Sequence, residues 1–191
     1  MRYITGDRGQ GWEDIIIPLA TAKIPGTSAP TWTAFKGGTY AYAFAEGDIA
    51  HVAFHLPHDV DVSEGLYFHM HWTTNGVSVE SVGWDIEYCG AKGHNQDTFS
   101  GTGAADTNTV SVSEAASGTA FQHMVTEFNS TDAEAARDVT AGETDSLYIV
   151  KISRNATGAN TDTVFGLFLD IHYKSTNTKT YEKAPPFNRC V

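Results

Sequence analysis

Histidine is the side chain whose ordinary titration lies closest to neutrality, and it is the commonest metal ligand among the amino acids. The stretch AFHLPHDVDVSEGLYFHMHW, residues 53–72, holds His55, His58, His69 and His71, four of the chain's eight histidines, and His51 lies just upstream. Such density raises two chemistries, a metal centre and an acid–base pair. Alternate residues of an extended strand share a face. Residues 48–57 then put Val52, Phe54 and Leu56 on one face and Ile49, His51, Ala53 and His55 on the other. Residues 65–74 put Leu66, Phe68, Met70 and Trp72 opposite Tyr67, His69, His71 and Thr73. If the two strands pair through PHDVDVSEG, the rings of His51, His55, His69 and His71 share one sheet surface, with cross-strand Cβ atoms roughly 4.5–5.5 Å apart. Asp170 and His172, near the end of the chain, are the further groups able to join them.

The His69-x-His71 pair matches half of a cupin-like metal site, in which two histidines and a carboxylate leave open positions on iron or another divalent ion. The acidic residue that should follow within a few positions is missing, and Glu80 is the nearest. No Ser–His–Asp spacing, G-x-S-x-G, P-loop or G-x-G-x-x-G accompanies the rings. The expectation is therefore a non-enzyme without cofactor or metal, His51, His55, His69 and His71 being the candidate ligands should a metal bind. A histidine on the polar face of a strand more often hydrogen-bonds a neighbour or lines a subunit contact. In a trimer, one ring from each chain would meet on the axis.

The elements that must position these side chains read as strands throughout. Residues 39–45, 48–57, 65–74, 82–90, 119–128, 145–153 and 161–175 alternate apolar with polar or carry aromatic and β-branched runs. A weaker strand, TNTVSVSE, interrupts a Gly/Ser/Thr/Asn-rich stretch over 93–118. In the last strand Phe165, Leu167, Leu169, Ile171 and Tyr173 form an apolar face against Val164, Phe168, Asp170 and His172. STDAEAARDV has the capping box of a short helix, Thr131 with Glu134. About eight antiparallel strands spaced by turns predict a single all-β domain, a jelly roll or β-sandwich. The expected organisation is an extended N-terminal arm over 1–38, a β body over 39–175 and a polar tail over 176–191. Trp72 and Trp84 fall on apolar faces and are expected in the core; Trp12 and Trp32 lie in the arm and are expected to anchor it. Deleting the arm is expected to leave the body folded. NATGANTDT lacks the ordered acidic spacing of a calcium loop and reads as a hairpin turn.

Bulk properties narrow the partners. The chain has 191 residues, 41% hydrophobic and 18% charged, which suits a globular core. Twelve basic against 23 acidic residues give a net charge of −11, which disfavours nucleic acid as a partner. The two cysteines, Cys89 and Cys190, read as free thiols, and no apolar run reaches membrane-spanning length. MRYITGDRGQGWED lacks the apolar segment of a secretory leader, which points to synthesis in a reducing cytoplasm. Asn129 and Asn155 begin N-x-[ST] triplets, which occur by chance.

Three segments together resemble a family of tailed-phage and prophage virion structural proteins. They are GWEDIIIPLATAKIPGTSAPTW near the start, the Pro57-His58…Glu64-Gly65…His69-Met70-His71-Trp72 segment, and the late strand carrying Asp170 to Tyr173. The resemblance covers most of the chain and implies a structural role in the virion. Its most concrete form is a capsid decoration (cement) protein on the capsid exterior, made in the bacterial cytoplasm. Its partners would be the major capsid protein and further copies of itself as a homotrimer, with Trp12, Trp32, His69, His71 and His172 at the contacts. The alternatives are a tail, neck or fibre-associated protein, a cupin-like metal-dependent enzyme, or a carbohydrate-binding module.

Overall fold

The computed structural model describes residues 11–100, 108–128 and 145–176. The expected helix over 130–139, Asn129, Cys190 and all of the tail beyond Thr176 lie outside them. Ten strands run through the described residues: β1 (Gly11–Pro18), β2 (Thr31–Ala34), β3 (Tyr40–Phe44), β4 (Ile49–His55), β5 (Tyr67–Thr74), β6 (Ser81–Lys92), β7 (Asn108–Ala115), β8 (Met124–Glu127), β9 (Ser146–Asn155) and β10 (Val164–Ser175). A single 3-10 turn, Leu19–Thr21, follows β1.

The chain is an all-β sandwich of two antiparallel sheets. One sheet runs β2-β3-β10-β5-β8, with β1 along the remaining length of β10; the other runs β4-β9-β6-β7. From β3 onward the chain changes sheets at every connection except the β6–β7 hairpin, which gives the eight strands β3 to β10 a jelly-roll winding. Residues 11–34, read from the sequence as arm, carry two further strands of the first sheet. β1 pairs with β10 from Gly11↔Ser175 to Pro18↔Phe168, and β2 pairs with β3. Leu19, just beyond β1, is fully buried. Removing 1–38 would therefore strip two strands and a core side chain, so the body would not be left intact as expected.

The alternation seen in sequence does set the faces. Val52, Phe54 and Leu56 from one sheet meet Phe68, Met70 and Trp72 from the other, with Trp84, Ile86, Val150 and Ile152 completing the core. Trp72 and Trp84 are both fully buried. Trp72 Nε1 donates to Thr126 Oγ1 at 2.7 Å, and Thr126 Oγ1 donates to Glu114 Oε2 at 2.6 Å, which ties β5 and β8 to β7 across the sandwich. NATGANTDT is a crossover from β9 in one sheet to β10 in the other, not the hairpin expected. It is braced there: Arg154 donates to the carbonyls of Phe44 and Asn160, and Asp162 accepts the backbone N–H of Ser78.

β10 departs from simple alternation. Its register against β5 shifts between Gly166 and Phe168, a bulge that inserts Leu167. Before the bulge Val164 joins the core cluster, while Phe165 packs outside against Phe35 and Phe121. After it, Leu169, Ile171 and Tyr173 face inward, as the sequence predicts. The predicted apolar face is thus correct for the second half of the strand and inverted for the first. Gly166 is required at the crossing point. A Cβ there would meet Phe44 Cε2 at 2.7 Å, Leu19 Cδ1 at 2.8 Å and Met70 Cε at 3.0 Å. Gly166→Ala should cost about 1–3 kcal/mol of stability by overpacking, measured by urea unfolding. Gly26→Ala, where nothing lies within 4 Å of the added carbon, is the control. Equal effects at the two positions would contradict this packing.

Candidate functional site

The jelly-roll winding separates the histidines that the sequence reading brought together. β4 and β5 do not pair; they lie in opposite sheets and face each other across the core. Their polar faces therefore point to opposite outsides of the sandwich. His51 and His55 lie outside the β4 sheet, and His69 and His71 outside the β5 sheet. The reason is the connection over 56–66, which buries Leu56, Val60, Val62 and Leu66 as it crosses from one layer to the other.

What joins His69 and His71 instead comes from β10. Asp170 is directly opposite His69, Phe168 opposite His71, and His172 opposite Tyr67. β1 adds the next column, with Asp14 opposite His172 and Ile16 opposite Asp170. β8 closes the other side, with Glu127 opposite His69. The outer face of this sheet thus gathers His69, His71, His172 and Asp170, flanked by Asp14 and Glu127. Glu80, the acid nearest in sequence, lies elsewhere; its backbone carbonyl receives the amide of Asn160.

Ligand-type atoms of His69, Asp170 and His172 all lie within 4.8 Å of one another. His172 Nε2 is 3.0 Å from Asp170 Oδ2 and 3.0 Å from Asp14 Oδ1. The rings of His69 and His172 sit edge to face with centroids 4.0 Å apart. Asp170 is only 5% exposed. Behind it stands His71, whose Nε2 is 3.5 Å from Asp170 Oδ2 and whose Nδ1 is 2.8 Å from His123 Nε2. Phe168 stacks on His71 at 4.0 Å and holds the ring in place. The loop before β8 is fixed by Thr73 Oγ1, which donates to the carbonyl of Gln122, and by Phe121 N–H, which donates to Thr74. His123 could not have been assigned from sequence: it precedes its strand, and only the β5–β8 pairing brings it to His71.

Beside this cluster lies a cleft of about 340 Å³ lined by Trp12, Tyr67, His69, Glu127 and His172. Trp12 is 55% exposed and packs edge-on against Tyr67 at 5.1 Å. Trp32 is also exposed, but it projects from the other side of the sheet, beside Tyr40 and Tyr42. The two tryptophans therefore do not form one patch. Of the five residues expected at contacts, Trp12, His69 and His172 line the cleft, His71 is buried behind it, and Trp32 is apart.

Three of the four remaining histidines form a second group at one end of the other sheet. His55, His58 and His94 surround Asp145, His55 on Oδ1 and His94 3.0 Å from Oδ2, with His58 at 3.9 Å. These rings are a third to a half exposed, an arrangement of ordinary ion pairs about one carboxylate. Cys89 is a free thiol on β6, pushed up in pKa by burial and then by Glu87.

No protein-family model matches the chain, and no curated protein matches it in sequence. Among solved structures it is similar to the CBM36-1 domain of a multidomain xylanase from the hindgut metagenome of Trinervitermes trinervoides, at 9% identity and a TM-score of 0.45 over 83% of this chain and 96% of that one. It is similar to a family 11 carbohydrate-binding module from Clostridium thermocellum, at 12% identity and a TM-score of 0.34 over 91% and 92%. It is also similar to a chain of infectious bursal disease virus, Gx strain, at 12% identity and a TM-score of 0.34 over 93% and 34%.

Burial, and then the neighbouring His172 ring, holds His69 below the ordinary imidazole value of 6.5. Burial, and then His123, does the same for His71 against the pull of Asp170. A depressed pKa in the folded state means that the unfolded chain takes up protons first. Stability present above about pH 6.5 is then lost as the pH falls through the folded values. In chelator-containing buffer, the melting temperature should drop between about pH 8 and pH 5.5, and it should drop less for the His69→Gln/His71→Gln double variant. Parallel curves for the two proteins would contradict this burial of neutral rings.

Proposed function

We propose that the chain is a structural protein of a bacteriophage virion, with capsid decoration as its specific role. In this reading it binds the major capsid protein from the capsid exterior as a homotrimer. The observation that carries the reading is where the family-like segments fall. Gly11 to Trp32, Pro57 to Trp72 and Asp170 to Tyr173 are distant in sequence, yet the strands β1, β5 and β10 that they supply lie side by side in one sheet. Three of the strands that carry the resemblance are thus neighbours, while β4, which leads into Pro57-His58, lies in the opposite sheet.

Chemistry agrees with a binding body more than with catalysis. The cleft beside the histidine cluster is open to solvent, and among the described residues that line it there is no serine or cysteine nucleophile. Exposed Trp12 and Ile16 on β1, and Trp32 and Tyr40 on β2 and β3, offer apolar contact area to partners on both sides of the sheet edge. Several weak contacts of this kind gain strength when copies act together on a repetitive shell. A net charge of −11 keeps the protein from competing for the packaged genome.

One observation favours a second reading, a carbohydrate-binding module: Trp12 and Tyr67 wall the cleft with aromatic surface. Retarded migration of the protein in polysaccharide-containing native gels would support it. Quantitative mass spectrometry of purified particles of the encoding phage tests the first. Copies on the order of hundreds per particle are expected from a shell-covering protein. A handful of copies would move the protein to the tail, neck or fibre, and absence from the particle would overturn the virion role.

A further inference from the structure

We propose that His69, Asp170 and His172 bind a divalent transition-metal ion of the zinc type. The site is built on two adjacent strands in a defined register, not on a mobile loop. Asp170 faces His69 across the β5–β10 ladder, and His172 follows two residues later on the same face. Their ligand atoms lie within 4.8 Å of one another. Around a tetrahedral zinc, ligand atoms stand roughly 3.4 Å apart for bonds of about 2.1 Å, so modest side-chain rotations complete the site.

Two observations single it out from a set of ion pairs. The first is an unpaired group. Asp170 Oδ1 is buried and has no hydrogen-bond partner among the described residues, although a buried carboxylate oxygen is costly to leave bare. The second is the pair of imidazoles. His69 and His172 press together at 4.0 Å, and the carboxylate nearest His69 is that of exposed Glu127, 3.9 Å away, with Asp170 somewhat farther, within 4.8 Å. Ion pairing with Asp170 and Asp14 accounts for His172. It leaves no reason for a second, largely buried ring beside it. A metal would bind both rings in their neutral form and be held by the Asp170 carboxylate.

The surroundings fit as well. His71 backs the Asp170 carboxylate and is itself held by His123, the kind of support that orients ligating groups. Two imidazoles and one carboxylate suit zinc, cobalt, nickel or ferrous iron; calcium and magnesium prefer all-oxygen cages. The cleft lies beside His69, His172 and Glu127, and Asp14 sits 3.0 Å from His172 Nε2. Through Asp14 the ion would bear on β1 as well, so it would latch the N-terminal strand to the centre of the sheet. The cluster at Asp145 lacks this character: its carboxylate is engaged on both oxygens, and its rings are more exposed. The inference stands independently of the virion reading.

The test uses the full chain, stripped with chelator and titrated with zinc chloride alone. One equivalent should bind, seen by calorimetry and elemental analysis, and the melting temperature should rise with free zinc as expected for a ligand of the folded state. Asp170→Asn and His172→Gln should each weaken binding by about 100-fold or more, while His55→Gln at the other cluster binds as the wild type. Circular dichroism in chelator checks that each variant folds. Ring-nitrogen NMR of the wild-type protein needs no variant: zinc should shift the His69 and His172 resonances. The proposal is overturned if the wild-type chain takes up no stoichiometric zinc. It is equally overturned if those two rings do not shift, or if folded Asp170→Asn and His172→Gln bind as tightly as wild type.

Discussion

Pairing of Tyr67–Thr74 with Val164–Ser175 fixes the core and the histidine cluster in a single register. Met70 opposite Leu169 and Phe68 opposite Ile171 point inward. His69 opposite Asp170 then has no choice but to point outward, because successive side chains of a strand take opposite faces. A slip of one residue would expose the apolar set and bury the imidazoles, so burial of the core enforces the geometry of the cluster. The bulge at Gly166–Phe168 is what allows one strand to serve two surroundings. Its first part packs with Phe44 and the overhanging β3, and its second part lies between β1 and β5.

Jelly-roll winding supplies the second constraint. Because β4 and β5 are consecutive but belong to different sheets, the histidine-rich stretch is divided between two surfaces. Each half meets its carboxylate from far away in sequence. His69 and His71 meet Asp170, and His55 and His58 meet Asp145. The two groups differ in burial, and that difference decides their chemistry. Around Asp145 solvent screens exposed ion pairs; around Asp170 a nearly closed environment makes an unpaired oxygen expensive.

Much of this was legible in the residues. Alternation correctly placed Val52, Phe54, Leu56, Phe68, Met70 and Trp72 inside, and it marked Asp170 and His172 as groups able to join the β5 histidines. Alternation encodes a residue's face but not its strand's neighbour. The pairing of β4 with β5 was the natural local guess, and long-range burial between sheets overrides it. The bulge was illegible for a related reason: Leu167 continues the apolar pattern, and only the packing around Gly166 reveals the shift. β1 and β2 were hidden by their prolines and small residues, though IIIP of β1 carries the inward Ile15 and Ile17. His123 and Asp14 gave no signal, since neither belongs to a recognisable motif and each reaches the cluster through a different neighbouring strand.

The arrangement around β5 and β10 is tested most directly by anomalous diffraction at the zinc absorption edge, from crystals of the full chain grown with zinc. A single strong peak within bonding distance of His69, Asp170 and His172 is the expected result, with Asp170 lying opposite His69. A peak at the Asp145 group with none here, or density that pairs His69 with a different residue of the last strand, would contradict it.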